Sequence, residues 1–212
     1  MRSVQGDYAR GYPSIVGFGG STRPNSASEM ALRVALSAAQ RQGARTEGFF
    51  GEDLQFPMFK AQESVYEEKV ARFIAALRDA DGVIIASPGY HGSISGLLKN
   101  AIDYIELLRD NERPYFEGRA VGCIVCAAGW QATGTTLMSL RSIVHALRGW
   151  PTPLGAMVNT AVVQFGSDAT CMDALVGQQL TAVAGQVCEF AARLAQFPKQ
   201  SVVDESMKSQ LR

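Results

Sequence analysis

Between Gly20 and Ser28 the chain reads Gly-Ser-Thr-Arg-Pro-Asn-Ser-Ala-Ser. This stretch gathers hydroxyls at Ser21, Thr22, Ser26 and Ser28, an amide at Asn25 and a guanidinium at Arg23. The apolar run Ile15-Val16-Gly17-Phe18 precedes it and a helical pattern follows, so backbone N–H groups of a helix start, around Ala27, join the side-chain donors. Neutral donors, one cation and a helix N-terminus suit a terminal phosphate, whose oxygens carry close to two negative charges. The same residues also suit a Ser-capped helix with a solvated polar turn. A second loop, Ser87-Pro88-Gly89-Tyr90-His91-Gly92-Ser93, follows Val83-Ile84-Ile85-Ala86 and opens another helix. Gly89 and Gly92 allow backbone to lie against a planar ligand. Tyr90 either walls the edge of such a ligand or anchors the loop, and His91 is either a ligand contact or a solvated side chain.

Several other chemistries are excluded or set aside. No Gly-Lys-Ser/Thr follows the first strand, so this is not a nucleoside triphosphate loop. Gly17 and Gly19 are followed by Thr22 where a dinucleotide fingerprint needs its third glycine, and no acidic residue ends the second strand. Cys123 and Cys126 form a C-x-x-C inside an apolar run, where residues three apart on a strand point to opposite faces. A redox pair needs an exposed helix start instead, so these cysteines read as structural. Cys171 and Cys188 read as structural residues in helical context, and His145 as a structural residue beside Val144 and Leu147. Lys99 and Asp103, four apart, read as a helical ion pair.

The elements that position these loops alternate along the chain. Strands are expected at 14–19, 46–50, 82–87, 120–127 and 156–163, and helices at 26–42, 65–80, 95–108, 133–147 and 168–197. Near-continuous apolar strands linked by helices imply one parallel sheet covered on both faces. Five such units favour strand order 2-1-3-4-5, whose crevice opens between the first and third strands, directly after which the two polar loops stand. At 212 residues the chain fits a single domain, here 13–197, with a flexible arm at 1–12 and a polar tail at 198–212. Lys plus Arg equals Asp plus Glu at 20 each, which gives no field to attract nucleic acid or an anionic membrane. No apolar stretch approaches the ~20 residues that span a bilayer, and the polar start is no secretory signal, so a cytoplasmic location is expected.

The two loops together resemble the NADPH-dependent FMN reductase family of flavodoxin-like proteins, which includes FMN, chromate, quinone and azo reductases. The resemblance covers roughly residues 14–190. The first loop is similar to the family's G-S-x-R-x-x-S. The longer match runs from Ser87 to Asp103, similar to S-P-x-Y-x-x-S-x-x-G-x-L-K-N-x-x-D. The resemblance implies a flavodoxin-like, doubly wound, five-stranded α/β fold with FMN as cofactor and NADPH or NADH as co-substrate. By this likeness Ser21, Arg23, Asn25, Ser26, Ala27 and Ser28 hold the FMN phosphate. Pro88, Gly89, Tyr90, His91 and Gly92 lie along the ring and ribityl chain. Ala128, Gly129 and Trp130 form the third contact, although Trp130 departs from the small residues usual there. Hydride would pass from nicotinamide C4 to flavin N5, with loop N–H groups stabilising charge near flavin N1 and O2. A small-molecule acceptor (free FMN, a quinone, an azo compound or a metal oxyanion) would then take the electrons by ping-pong. The family also implies a homodimer or homotetramer, to which Met138, Ile143, Leu147 and Trp150 would add apolar surface. Arg23, Arg109 and Arg113 are candidates for a 2′-phosphate. The alternatives are a flavodoxin-type electron carrier, which the neutral charge disfavours, and a phosphate-ester binder without flavin.

Overall fold

The structure, a computed structural model, describes residues 12–61, 65–166 and 170–194. The expected arm, apart from Tyr12, the expected tail, and both ends of the expected last helix lie outside the described residues. The elements run β1 (Ser14–Gly19), α1 (Ala27–Arg41), β2 (Arg45–Phe50), α2 (Glu68–Asp79), β3 (Gly82–Pro88), α3 (Gly96–Asp103), β4 (Ala120–Ala127), α4 (Trp130–Ala146), β5 (Trp150–Pro151), β6 (Ala156–Asn159) and α5 (Ala174–Leu194). All strand pairs are parallel, in the order β2-β1-β3-β4-β5, with β6 also paired to β4. This is the expected doubly wound sheet.

Alternation along the strands divides the core into two layers. Val16, Phe18, Val83, Ile85, Val121 and Cys123 pack with α2, α3 and α4, around Phe73, Leu98 and Leu140. Ile15, Ile84, Ile124 and Cys126 pack with α1 and α5, around Leu32, Leu180 and Val183. Cys123 and Cys126 therefore sit in different layers, as their spacing on a strand requires. The loop after β2 contributes rings, as expected: Phe56 and Phe59 stand 5.3 and 5.2 Å from Tyr104. Arg119 is wholly buried, yet each of its three side-chain nitrogens has a partner, donating to the carbonyls of Arg78, Ala80 and Tyr115. Burial and the nearby Arg113 lower its pKa to about 10.

The sheet edge differs from the sequence reading. Trp150-Pro151, expected as a turn, pairs with Ala120-Val121, and the strand then breaks at 152–155, where Pro153 has no N–H to give. The segment resumes as β6 but stops at Asn159, not at Val163. There the Asn159 side chain accepts the Ala161 N–H at 3.1 Å, and its carbonyl accepts those of Val162 and Val163. Helix α2 starts three residues late, because Val65 is exposed and lies outside the helix. The third expected helix tightens to a 3₁₀ turn from Tyr104 to Leu108. Cys171 is not helical; it bridges to Phe165 ahead of α5. His145 lies exposed in the last turn of α4, while Val144 and Leu147 face the core. Among the described residues no helix is long and apolar enough to cross a membrane.

Candidate functional site

Three loops leave the same end of the sheet side by side. Gly19 pairs with Ala86 at the ends of β1 and β3, and the Gly20 N–H donates to the Ala86 carbonyl at 3.1 Å. Pro88 pairs with Cys126 at the ends of β3 and β4, and the Gly89 N–H donates to the Cys126 carbonyl at 2.8 Å. The loop at 20–26, the loop at 89–95 and the turn at 128–129 therefore begin from three adjacent strands.

The first loop is built as a cap with donors to spare. Ser26 is the N-cap of α1, its Oγ accepting the Glu29 N–H at 3.3 Å and standing 3.3 Å from the Ser28 Oγ. The hydroxyls of Ser21, Ser26 and Ser28 are all buried. Ser21 turns the loop by accepting the Arg23 N–H at 3.2 Å. Arg23 is exposed, and among the described residues no carboxylate pairs with it. The N–H groups of Ala27 and Ser28 belong to the first helical turn, which has no internal acceptors for them. The Asn25 backbone is left-handed at φ 53°, and its backbone N–H goes to Glu29 Oε2 at 3.2 Å, so that one donor is spent inside the protein.

The second loop is a two-residue hairpin. Tyr90 and Ser93 exchange both backbone hydrogen bonds, at 2.9 and 3.0 Å, around His91 and Gly92 at φ 51° and 83°. Positive φ at both central residues makes a type I′ turn. Ser87 pins the turn from below, with its Oγ accepting the Ser95 N–H at 3.1 Å and donating to the Pro88 carbonyl at 2.8 Å. Helix α4 holds it from the side through Thr136, whose Oγ1 reaches the Ser93 carbonyl at 3.4 Å. A Cβ on Gly89 would meet that Oγ1 at 2.9 Å, so the glycine is what lets loop and helix approach. The N–H groups of Gly89 and Tyr90 are spent on Cys126 and Ser93, whereas among the described residues those of His91 and Gly92 face no protein acceptor. Tyr90 and His91 are exposed.

In the third turn Ala128 is exposed and the Gly129 N–H folds back to the Ala127 carbonyl at 3.0 Å. Trp130 is not a loop residue, as expected from sequence, but the first residue of α4. Gly129 at φ 136° serves as the cap, and Thr133 bonds back to the Trp130 carbonyl at 2.8 Å. The Trp130 side chain remains 59% exposed at the sheet end. Arg109 and Arg113 lie elsewhere. Arg109 is held by Glu106 and Tyr115, and Arg113 reaches the Ala80 carbonyl, which precedes β3 at the opposite end of the sheet. Of the three candidate cations, only Arg23 stands beside the loops.

The model of the NADPH-dependent FMN reductase family matches residues 13–162, which takes in all three loops. The chain belongs to this family. Among curated relatives, an FMN-dependent NADPH-azoreductase of Staphylococcus aureus is 38% identical over 89 residues, covering 42% of this chain and 40% of that protein. The chain thus spans about two-fifths of the azoreductase it matches. Among solved structures, the NADH:FMN oxidoreductase EMOB, in its apo form, superposes with a TM-score of 0.66 at 21% identity, covering 88% of this chain and 92% of that one. The NAD(P)H:(acceptor) oxidoreductase FerB of Paracoccus denitrificans gives 0.65 at 18% identity, covering 85% and 98%. These two likenesses show the fold.

FMN, the cofactor in the family's description, meets a fitting donor set here. Three buried hydroxyls, a helix start and an exposed guanidinium surround one loop, and a rigid glycine-bearing hairpin stands next to it. The family's motif residues divide by task. Ser87 and Asn100 hold loops in place rather than face the opening. Asn100 accepts the Phe59 N–H at 2.9 Å and donates to the Pro57 carbonyl at 2.9 Å. Lys99 and Asp103 pair at 2.7 Å, as expected. Glu29, Gly51 and Thr136 were not legible as site residues. Gly51 follows β2 and backs the first loop so closely that its Cβ would lie 2.5 Å from the Ser21 carbonyl oxygen. The C-x-x-C is chemically silent: burial raises Cys123 to about 12 and Cys126 further still, so neither forms a thiolate near neutral pH.

Proposed function

We propose that this chain is an FMN-dependent NAD(P)H oxidoreductase that takes hydride from NAD(P)H and passes electrons by ping-pong to a second small molecule. The carrying observation is the Gly20 N–H bond to the Ala86 carbonyl, which starts the phosphate-type loop and the hairpin loop from neighbouring strand ends. Bound FMN supplies the chemistry of hydride acceptance and onward electron transfer. The protein's part is binding and exclusion. Ser21, Ser26 and Ser28, with Arg23 and the start of α1, hold the phosphate. Pro88 to Gly92 flank the ring, the N–H groups of His91 and Gly92 being the donors that remain for its polar edge. Trp130, exposed at the neighbouring helix start, faces the approach of co-substrate and acceptor.

The acceptor belongs to the class of free FMN, quinones, azo compounds or metal oxyanions. Met138 and Trp150, 67% and 61% exposed, support assembly as a homodimer or homotetramer. A cytoplasmic setting accords with four free cysteines. Titrating purified protein into FMN while following flavin fluorescence, then mixing the complex with NADPH or NADH and each acceptor in turn, tests the whole reading. Quenching, then bleaching by reduced nicotinamide and reoxidation by an acceptor, is the expected course. Protein that leaves FMN fluorescence unchanged overturns it. FMN binding without nicotinamide-driven bleaching would instead identify an electron carrier.

A further inference from the structure

Behind the phosphate-type loop stands a carboxylate, which is a costly neighbour for a phosphate. Glu29 is 6% exposed, in the first turn of α1. Its Oε2 accepts the Asn25 N–H at 3.2 Å, holding that residue at φ 53°. Its Oε1 receives both Nε and Nη2 of Arg33, at 3.1 and 2.8 Å. The Arg33 guanidinium in turn lies over the Phe50 ring, 3.8 Å from its centroid, at the end of β2. The Glu29 Cβ is also 3.5 Å from where a Cβ of Gly20 would stand. The Asn25 end of the loop therefore rests on this side chain, and the Gly20 end passes beside it with room for no more than an ordinary contact.

An acidic group in the first turn suits the positive end of the helix, so Glu29 stabilises this helix start. A phosphate dianion seeks that same pole, and beside an unneutralised carboxylate it would be repelled. The double hydrogen bond from Arg33 resolves the conflict, since a two-pronged guanidinium cancels the charge and leaves the carboxylate its role as a brace. We propose that Glu29 and Arg33 form a positioning pair for the phosphate site. Glu29 fixes the loop, and Arg33 neutralises Glu29 so that the loop can accept a dianion. This rests on the reading of the loop as the FMN phosphate site.

The test is a comparison of FMN with riboflavin, which lacks the phosphate, by fluorescence titration of the wild type and of Arg33→Met, Arg33→Lys, Glu29→Gln and the double variant Arg33→Met/Glu29→Gln. In Arg33→Met the Kd for FMN should rise about tenfold, the scale of one partly screened charge contact, with riboflavin unchanged within about twofold. The double variant should recover most of the loss, Arg33→Lys should lose little, and added salt should shrink the loss in Arg33→Met. Arg33 has a side chain 43% exposed, so its replacement leaves the core intact. Equal weakening of both flavins, no change in Arg33→Met, or a double variant as weak as Arg33→Met would each overturn the pairing. A wild type that binds FMN no better than riboflavin would instead overturn the phosphate-site reading itself.

Discussion

Gly19 of β1 lies so close to Ala86 of β3 that a Cβ on the glycine would stand 1.9 Å from the Ala86 carbonyl oxygen. Its φ of 147° adds a conformation that side-chain-bearing residues rarely adopt. The contact obstructed is backbone, which cannot swing aside, and it lies where the two loops begin. Gly19→Ala should therefore cost at least about 3 kcal/mol in urea denaturation and weaken flavin binding with it. Gly134, in α4, is the opposite case, with nothing within 4 Å of an added Cβ. Gly134→Ala should stabilise by about 0.5–1 kcal/mol, because the helix loses its most flexible residue. Equal effects of the two substitutions would refute the packing argument.

The contrast shows what the sequence could carry. Continuous apolar strands alternating with helices led directly to the sheet order, because few other topologies satisfy parallel pairing with right-handed crossovers. The Ser26 cap and the positions of Ser21, Ser28, Tyr90 and His91 were likewise legible, being local. Tertiary decisions were not. The partners of Glu29 and Thr136 depend on loop paths that periodicity does not encode. Trp130 was placed in a loop because the helix was expected to begin only at Thr133, whereas Gly129 turned the chain earlier and left the Thr133 hydroxyl to bond backwards. The last strand was read too long because Val162 and Val163 favour strands, yet Asn159 ended the ladder ahead of them.

His91 occupies the first central position of a turn that requires positive φ. Asparagine and glycine tolerate that position, and histidine does so better than most. His91→Asn should hold stability within about 0.5 kcal/mol, while His91→Val should lose about 1–2 kcal/mol, since a β-branched side chain clashes in the left-handed region. Thermal unfolding of the two variants checks this. At equal stability, kcat/KM of His91→Asn then isolates any contribution of the imidazole to turnover.

Asn100 binds the 56–59 segment through the Phe59 N–H and the carbonyls of Pro57 and Phe56, the last at 3.3 Å. Asn100→Ala removes these bonds and strands partly buried backbone groups, so a loss of about 2–3 kcal/mol is expected. Asn100→Asp keeps the acceptor for Phe59 but sets a carboxylate against two carbonyls, and it should do no better. The measurement is the urea midpoint of each variant against the wild type. Wild-type stability in Asn100→Ala would show that the Phe56, Phe59 and Tyr104 rings, with the Tyr104 hydroxyl on the Pro57 carbonyl, hold the segment without Asn100.

Cys123 is buried between sheet and helices, and burial raises its thiol from 9.0 to about 12. In the unfolded chain the same thiol ionises near its ordinary value. Between pH 9 and 12 the unfolded state therefore sheds a proton that the folded state keeps, and stability must fall as pH rises. Each such thiol contributes a slope of about 1.4 kcal/mol per pH unit inside its window, and Cys126 is raised in the same direction by the same cause. Urea midpoints measured at pH 8 and at pH 10 should drop in the wild type, and drop by less in Cys123→Val. The same burial predicts that a thiol reagent at pH 8 modifies Cys171, which is half-buried, well before Cys123 or Cys126. Rapid modification of the strand pair in the native protein would mean that the C-x-x-C is accessible after all, and that its silence in catalysis needs another explanation.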